Sequence, residues 1–320
     1  MAAVQAIPLE EIGEARDRVA RVAIRTPTIR LHVEDAPAEI YLKLENLQPI
    51  GSFKIRGAAN RMLSADPAEL AEGVWTASAG NMAQGVAWCA RLLGVPCAVV
   101  APDTAPQTKL AATRRLGARI VSVPFDEWFD CFTTHEHPEM EGVFVHAFDD
   151  PLVMAGNGTI GLEIVEDVPE VDAVVIPYGG GGLACGIASA VRALRPDARI
   201  YAAEVETGAP LAASLEAGEP VRVEYTPTWV DGIGSARVLE TSFRLSELLL
   251  DGSIVLRLAE IAEAVRTLAL RARVVAEGAG GSSVAAALRG DAGAGKVVCV
   301  VSGGNIDGDK LATILSGGLP

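Results

Sequence analysis

Short apolar runs rich in valine, isoleucine and alanine alternate along the chain with longer segments whose apolar residues recur every three or four positions. Eight runs have the length and composition of buried strands; they are IYLKLE (40–45), VWTAS (74–78), PCAVVAP (96–102), ARIVSVP (118–124), VFVHAF (143–148), AVVIPY (173–178), RIYAAEV (199–205) and KVVCVVS (296–302). Helical spacing marks the segments AQGVAWCARLLG, PQTKLAATRRLG, GTIGLEIVEDV and GGLACGIASAVRAL. This alternation predicts an α/β fold in which helices cover parallel strands.

The length of the chain suggests how this fold is divided. At 320 residues the chain is longer than most single domains, yet no repeat, low-complexity tract or linker interrupts the alternation. We therefore expect two closely packed lobes, each an open, mostly parallel sheet flanked by helices. The predicted boundaries give a large domain of residues 1–45 and 147–320 and a small domain of residues 46–146.

Composition and charge argue against several classes of protein. Half of the residues are hydrophobic and only 5% are aromatic, as expected for an interior built from Ala, Val, Leu and Ile. A net charge of −14, without basic residues interleaved with aromatics, argues against nucleic acid as a partner. No apolar run reaches roughly 18 residues, the length that suggests a membrane span. Residues 1–20 fit an amphipathic helix and not a signal peptide, so a cytoplasmic protein is expected.

Cysteine and histidine supply no recognisable metal or redox motif. The five cysteines are scattered without a C-x-x-C pair, and we expect inert thiols. His135 and His137 could ligate a metal, but the sequence around them offers no third or fourth ligand. We interpret this segment as a solvated loop and expect no metal site.

Four consecutive glycines, Gly179–Gly182, stand between a predicted strand and a predicted helix. Backbone amides there can point at an anion, and the positive end of the helix dipole adds to the attraction. A plain turn needs fewer glycines, so we favour an anion site over a flexible turn. It is not a Walker loop, because no Gly-Lys-Ser/Thr follows.

Two further loops follow predicted strands in the same way. Residues 78–81 (SAGN) precede a helix whose free amides suit a carboxylate or a cofactor oxygen, and the alternative is an ordinary helix cap. Residues 302–305 (SGGN) follow the last strand. Because ligands collect at the carboxyl edge of open parallel sheets, the three loops could surround one molecule.

One lysine is unusually placed for a residue that normally faces water. Lys54 follows Gly51, Ser52 and Phe53 at a predicted helix start. A phosphate cradle, a hydroxyl after the final strand and a fixed lysine together indicate pyridoxal 5′-phosphate, whose aldehyde forms a Schiff base with a lysine amine.

These motifs resemble those of the serine/threonine dehydratase family, the β-elimination branch of fold-type II pyridoxal-phosphate enzymes. The resemblance covers almost the whole chain and runs in order through GSFKIRGAAN, SAGNMAQGVA, HAFDDPLVMAGNGTIGLEI, PYGGGGL, AEGAGG and SGGN. It implies a large cofactor-binding domain and a small substrate-loop domain, with the cofactor in the cleft between them.

Roles of individual residues are also implied by the resemblance. Lys54 is the implied Schiff-base and catalytic lysine, Ser302 the partner of the pyridine nitrogen, and Asn81 the partner of the ring hydroxyl. The other implied cofactor contacts are Phe53, Gly179, Gly180, Gly181, Gly182, Leu183 and Glu277. The implied substrate contacts are Ser78, Ala79, Gly80, Asn81 and Met82.

The implied activity is that of a homodimeric ammonia-lyase, which converts a β-hydroxy amino acid to a 2-oxo acid and ammonia by β-elimination. Candidate substrates are threonine, serine, 3-hydroxyaspartate and a β-aryl serine. Two alternatives stay open, namely β-replacement by an external nucleophile and a cofactor-binding protein without turnover.

Several positions depart from the family pattern. Met82 stands where the family commonly has histidine, and it could shape the substrate pocket or only fill the core. Asn157 stands where glutamine is usual, and residues 125–142 are unusually aromatic. Ala79 replaces the second acid/base serine of the family's racemases, so racemisation is not expected. Pro210 replaces an aspartate of their metal site, which leaves Glu204 without one of its expected co-ligands.

Overall fold

A computed structural model describes residues 4–105 and 107–320 of the chain. The strands found there are β1 (Thr28–Arg30), β2 (Glu39–Lys43), β3 (Val74–Ala77), β4 (Cys97–Pro102), β5 (Arg119–Val123), β6 (Val143–Phe144), β7 (Ala173–Pro177), β8 (Arg199–Val205), β9 (Gly252–Leu256) and β10 (Lys296–Val300). The α-helices are α1 (Leu9–Val19), α2 (Lys54–Leu63), α3 (Pro67–Glu72), α4 (Asn81–Leu93), α5 (Gln107–Arg115), α6 (Phe125–Thr134), α7 (Pro151–Asp167), α8 (Gly182–Leu194), α9 (Pro210–Ala217), α10 (Glu240–Leu249), α11 (Leu258–Thr267), α12 (Gly278–Arg289) and α13 (Gly308–Leu315). A 3₁₀ turn covers Glu45–Leu47, and a π-helical turn covers Leu268–Ala272.

The strands form two sheets. In the described part of the chain, the larger sheet has the order β1-β2-β10-β7-β8-β9 and the smaller one the order β5-β4-β3-β6. Neighbouring strands run parallel throughout, except that β1 pairs antiparallel with β2. The predicted fold class, an α/β protein with two mostly parallel sheets flanked by helices, is confirmed.

All eight predicted strands are present. Two of the observed strands were not predicted, and one predicted strand was too long. Strands β1 and β9 escaped prediction because their short sequences, TIR and GSIVL, contain too few apolar residues to stand out. Strand β6 covers only Val143–Phe144 of the predicted 143–148. It stops because the chain turns at His146, whose ring accepts hydrogen bonds from the backbone N–H groups of Phe148 and Asp149.

The larger sheet is buried on both faces, as strand β7 illustrates. Val174 and Ile176 face an apolar cluster with α1, α7, α8 and α10, whereas Val175 faces the cluster formed with α11 and α12. Helices α7 and α8 approach so closely that a Cβ atom on Gly186 would lie 2.2 Å from the Met154 carbonyl oxygen. This close packing explains why both helices are rich in small residues.

None of the helices within the described ranges has both the length and the apolarity that a membrane crossing requires. The segment after α6 is the exposed loop that we predicted, except at His137. His137 is buried, and its Nε2 atom lies 3.1 Å from a carboxylate oxygen of Glu127, whereas His135 is exposed. Among the described residues, no group of three or more His, Cys, Asp or Glu side chains could hold a metal ion.

Candidate active site

A cavity of about 630 Å³ lies where the carboxyl ends of β3, β7 and β10 converge. Such edges collect ligands because the loops and helix N-termini of successive units meet there. Every residue that the resemblance implies as a cofactor or substrate contact lines this cavity; they are Phe53, Lys54, Ser78, Ala79, Gly80, Asn81, Met82, Gly179, Gly180, Gly181, Gly182, Leu183, Glu277 and Ser302. The fold therefore brings together residues that are up to about 250 positions apart in the sequence.

Lys54 is the first residue of α2, and its amine points into the cavity. Its Nζ atom donates a 2.6 Å hydrogen bond to the carbonyl oxygen of Ala147 and lies 5.1 Å from the centroid of the Phe53 ring. Burial lowers the pKa of Lys54 to about 8, although the nearby Glu277 carboxylate acts in the opposite direction. At pH 7 roughly a tenth of the amine is therefore unprotonated, far more than for an ordinary lysine, and this form is the one that a nucleophile or a base requires.

The depressed pKa of Lys54 predicts how its amine reacts with an acylating reagent in cofactor-free protein. Because burial disfavours the ammonium form, the amine should lose its proton as the pH rises through about 8, and acylation should follow that midpoint. Lys296 is the reference within the same digest, since its ion pair with Glu170 raises its pKa. Quantitative peptide mass spectrometry between pH 6 and 11 measures both profiles. Coincident midpoints would contradict the expectation.

The glycine loop joins β7 to the N-terminus of α8. Gly181 has a φ of +91°, a left-handed conformation that favours glycine. A Cβ atom on Gly180 would lie 2.3 Å from the Phe148 ring, and one on Gly182 would lie 2.3 Å from the Phe148 carbonyl oxygen. Within residues 4–105 and 107–320, the N–H groups of Gly181, Gly182 and Leu183 donate to no protein acceptor. The loop therefore fits a compact anion such as a phosphate group.

A buried side chain of α7 also holds the first residue of α8 in place. Asn157 in α7 donates a 3.1 Å hydrogen bond from Nδ2 to the carbonyl oxygen of Gly182. Asn157 lies beneath the loop and is only 2% exposed, so it does not line the cavity. Its departure from the usual glutamine thus affects the support of the glycine loop.

Asn81 begins α4 and takes part in a chain of side-chain hydrogen bonds. Its Nδ2 atom donates to Glu277 over 2.9 Å, and its Oδ1 atom accepts from Asn305 over 2.8 Å. Asn305 donates in addition to the Ile50 carbonyl oxygen. This chain ties the loop after β3 to the loop after β10. Asn305 belongs to the motif SGGN, but the sequence does not show that its side chain contacts Asn81 across the cavity.

The loop of residues 78–80 leaves the N-terminus of α4 open to the cavity. The hydroxyl of Ser78 accepts a 3.2 Å hydrogen bond from the Gly80 N–H, and no side chain caps the helix. Free amides at this end suit a carboxylate. Ala79 places only a methyl group here, which can neither donate nor accept a proton.

Ser302 is 2% exposed and lies just beyond β10. Its carbonyl oxygen accepts a 3.0 Å hydrogen bond from the Phe53 N–H, and Ser52 forms an isolated β-bridge with Gly303. The backbone before Lys54 is therefore fixed directly to the end of the central strand β10, which holds the lysine and the serine in one register.

Three side chains that border the cavity could not be placed from the sequence alone. Met82 borders the cavity, yet its side chain is only 2% exposed and packs in the core of the small sheet, which supports the core-filling alternative. Phe148 and Trp128 also border the cavity. Trp128 belongs to the aromatic segment of residues 125–142, whereas Phe148 was missed because its approach to the glycine loop depends on tertiary packing.

Glu204 was a candidate metal ligand only by resemblance. Its two carboxylate oxygens accept hydrogen bonds from the N–H groups of Leu211 and Ala212, at 2.9 and 2.7 Å, and one also accepts from Ser253. Pro210 is the first residue of α9. The carboxylate therefore serves as a cap for this helix N-terminus.

Comparisons with known proteins find related sequences and structures. A family model described as "Pyridoxal-phosphate dependent enzyme" matches residues 19–303. The L-threonine ammonia-lyase of Thermotoga maritima is 43% identical over 272 residues, an alignment that covers 84% of this chain and 68% of that protein.

Two solved structures extend the similarity over nearly the full length. Maize serine racemase has a TM-score of 0.89 at 31% identity, with 98% of each chain covered. The processed form of threonine deaminase isoform 2 from Solanum lycopersicum has a TM-score of 0.83 at 30% identity, covering 99% of this chain and 98% of that one. Proteins named for elimination and proteins named for racemisation thus share this fold.

Proposed function

Since the chain belongs to the family of pyridoxal-phosphate-dependent enzymes, we propose that it is an ammonia-lyase acting on a β-hydroxy amino acid of the threonine or serine type. The predicted family, cofactor and lyase class are confirmed by these matches. One observation carries the proposal for this chain, namely that the Lys54 amine shares its cavity with a helix N-terminus of four glycines.

The residues present fit the cofactor at each of its functional groups. In the proposal, the free amides of the glycine loop hold the phosphate, Lys54 bonds the aldehyde carbon, and Ser302 contacts the pyridine nitrogen. Asn81 contacts the ring hydroxyl, and its position is fixed by Glu277. When bound, the cofactor supplies an electron sink that makes the α-proton of an amino acid acidic.

The protein's own groups account for the remaining steps. The amides at the N-terminus of α4 would hold the substrate carboxylate and so present the α-carbon to the cavity. Lys54, with its lowered pKa, would remove the α-proton as a general base. Loss of the β-hydroxyl as water, followed by hydrolysis of the released enamine, gives the 2-oxo acid and ammonia. Because Ala79 has no proton to give, we propose that elimination exceeds racemisation.

Other parts of the proposal concern the whole molecule. The division into a large cofactor-binding domain (1–45 and 147–320) and a small substrate-loop domain (46–146) belongs to it, as do a homodimer and a cytoplasmic location. The two sheets are compatible with that division, since strands from 28–43 and 173–300 build one and strands from 74–144 build the other.

A substrate panel tests the function. Reconstituted protein is incubated with L-threonine, L-serine, 3-hydroxyaspartate and β-phenylserine, and both 2-oxo acid and ammonia are quantified. We expect equal amounts of the two products from at least one of these substrates, and the fastest release from L-threonine or L-serine. Chiral chromatography of the remaining amino acid measures racemisation in the same samples. A reconstituted yellow protein that releases no 2-oxo acid from any member of the panel would refute the proposal.

A further inference from the structure

A tight turn follows β6, and one buried histidine holds it together. The Nδ1 atom of His146 accepts two backbone hydrogen bonds, from the N–H of Phe148 at 3.1 Å and from the N–H of Asp149 at 2.7 Å. A ring nitrogen that accepts carries no proton, so this arrangement assigns the neutral tautomer with hydrogen on Nε2. Burial likewise lowers the pKa of His146 to about 3, which keeps the ring neutral.

This turn contacts both ends of the proposed cofactor site. Ala147, the residue after His146, accepts a 2.6 Å hydrogen bond at its carbonyl oxygen from the Lys54 amine. The next residue, Phe148, packs against the glycine loop so tightly that a methyl group on Gly180 or Gly182 would collide with it. The same two hydrogen bonds therefore determine where the acceptor for Lys54 lies and where the loop rests.

We propose that His146 is a positioning residue that fixes the separation between the Lys54 amine and the glycine loop. The inference rests on the proposed roles of Lys54 and the loop as the aldehyde and phosphate ends of the cofactor site. It does not depend on which amino acid is the substrate.

Direct proton transfer by His146 does not fit its surroundings. The side chain is 2% exposed, and its Nε2 atom is out of contact with solvent. The rings of Phe132, Phe144 and Phe148 lie around it, with centroids 5.3, 5.9 and 4.7 Å away. A ring enclosed in this way can orient the backbone but cannot reach a ligand.

The test compares substitutions that keep or remove the acceptor at the Nδ1 position. His146→Asn places an amide oxygen near the place of Nδ1, whereas His146→Gln carries the same amide one methylene farther away. His146→Phe keeps an aromatic ring and removes the acceptor. His135→Asn is the matched control, because His135 also contacts the His146 ring but is exposed and holds no part of this turn. Asparagine also tolerates the left-handed conformation of that position.

Equilibrium binding of two probes to the apoproteins provides the readout. Pyridoxal 5′-phosphate uses both ends of the site, and pyridoxal, which lacks the phosphate, uses only the aldehyde end. Circular dichroism and the thermal unfolding midpoint show that each variant is folded at the temperature of the measurement. Activity is not needed, so a failure of the proposed reaction leaves this result interpretable.

We expect His146→Phe and His146→Gln to raise the Kd for pyridoxal 5′-phosphate about tenfold or more, since two buried N–H groups lose their acceptor and the turn relaxes. The preference for pyridoxal 5′-phosphate over pyridoxal should fall with it, whereas His146→Asn and His135→Asn should stay within about threefold of wild type. If His146→Phe does not fold, the Asn and Gln pair decides. Equal Kd values in the Asn and Gln variants, or folded Phe and Gln variants with wild-type affinity and preference, would overturn the proposal.

Discussion

Replacing Lys54 with alanine should abolish elimination, lowering kcat/KM by at least about 10⁴-fold, because the proposed covalent partner of the cofactor and the proposed general base are the same amine. The amine is the group at this edge of the sheet that combines a lowered pKa with a fixed hydrogen-bond acceptor at Ala147. Initial rates of 2-oxo acid release with the best substrate of the panel measure the effect.

Substitution of a surface lysine is the control for this experiment. Lys296→Ala removes a lysine from the first position of β10, at the end of the strand remote from the cavity, and its ion pair with Glu170 is on the surface, so its activity should equal that of the wild type. After borohydride reduction, the wild type should carry the cofactor mass on the peptide containing Lys54, and Lys54→Ala should lose that labelled peptide. A Lys54→Ala protein with near-normal turnover would show that another base performs the reaction.

The position of Lys54 in the cavity shows which parts of such a site can be predicted from the sequence. The meeting of the glycines of 179–182 and Ser302 at one cavity was predictable because each belongs to a short motif at the end of an apolar run, where parallel sheets collect ligands. Lys54 stood out for another reason, namely its place among small residues at a predicted helix start. The fold class was predictable because alternating strands and helices leave few topologies.

Other features depend on contacts between distant segments. Phe148 was missed because its packing on Gly180 arises only when the turn after β6 meets the loop after β7. The side chain of Met82 could not be placed because a methionine at a helix start fills a core or borders a pocket equally well. Strand β9 escaped prediction because it begins with glycine and serine and has too short an apolar run to stand out. The local sequence alone does not show these features, because each depends on how distant segments pack together.

The buried charges behind α2 are a further feature that the motifs did not reveal, although Arg56 lies within one of them. Its guanidinium is 1% exposed and pairs with the carboxylates of Glu45 and Glu163, each at 2.7 Å. Lys43 also pairs with Glu163, and the Thr26 hydroxyl donates to Glu45. The network connects the strand β2 region, α2 and α7, so it holds the helix that begins at Lys54 against the larger sheet.

Arg56→Met should therefore destabilise the protein by about 3 to 5 kcal/mol at pH 7, because it leaves the buried Glu45 carboxylate without its main counter-charge and removes one of the two cations paired with Glu163. Urea denaturation of the cofactor-free protein measures the loss, so that ligand binding does not contribute. Arg16→Met is the matched control. Its pair with Glu166 is about 40% exposed on both sides, and breaking it should change stability by less than about 1 kcal/mol.

The pH dependence of the stability loss in Arg56→Met shows whether the unpaired charge or the missing side-chain packing causes it. In the wild type, burial raises the pKa of Glu45, but the charge and hydrogen bonds of Arg56 outweigh it, and the net shift is downward from 4.5. A lowered pKa stabilises the fold above 4.5, and that contribution is lost as the pH falls through the folded-state value. Without Arg56, the downward contributions largely disappear and burial dominates, so Glu45 takes up its proton at higher pH than in the unfolded chain.

Protonation should then stabilise the Arg56→Met variant relative to its own state at pH 7, while the wild type gains nothing from the same change. The difference in unfolding free energy between the two proteins is therefore expected to shrink as the pH falls from 7 to 5. A loss that stays constant over this range would mean that missing side-chain packing, and not unpaired charge, causes the destabilisation. A loss below about 1 kcal/mol at pH 7 would show that the buried network does not stabilise the fold.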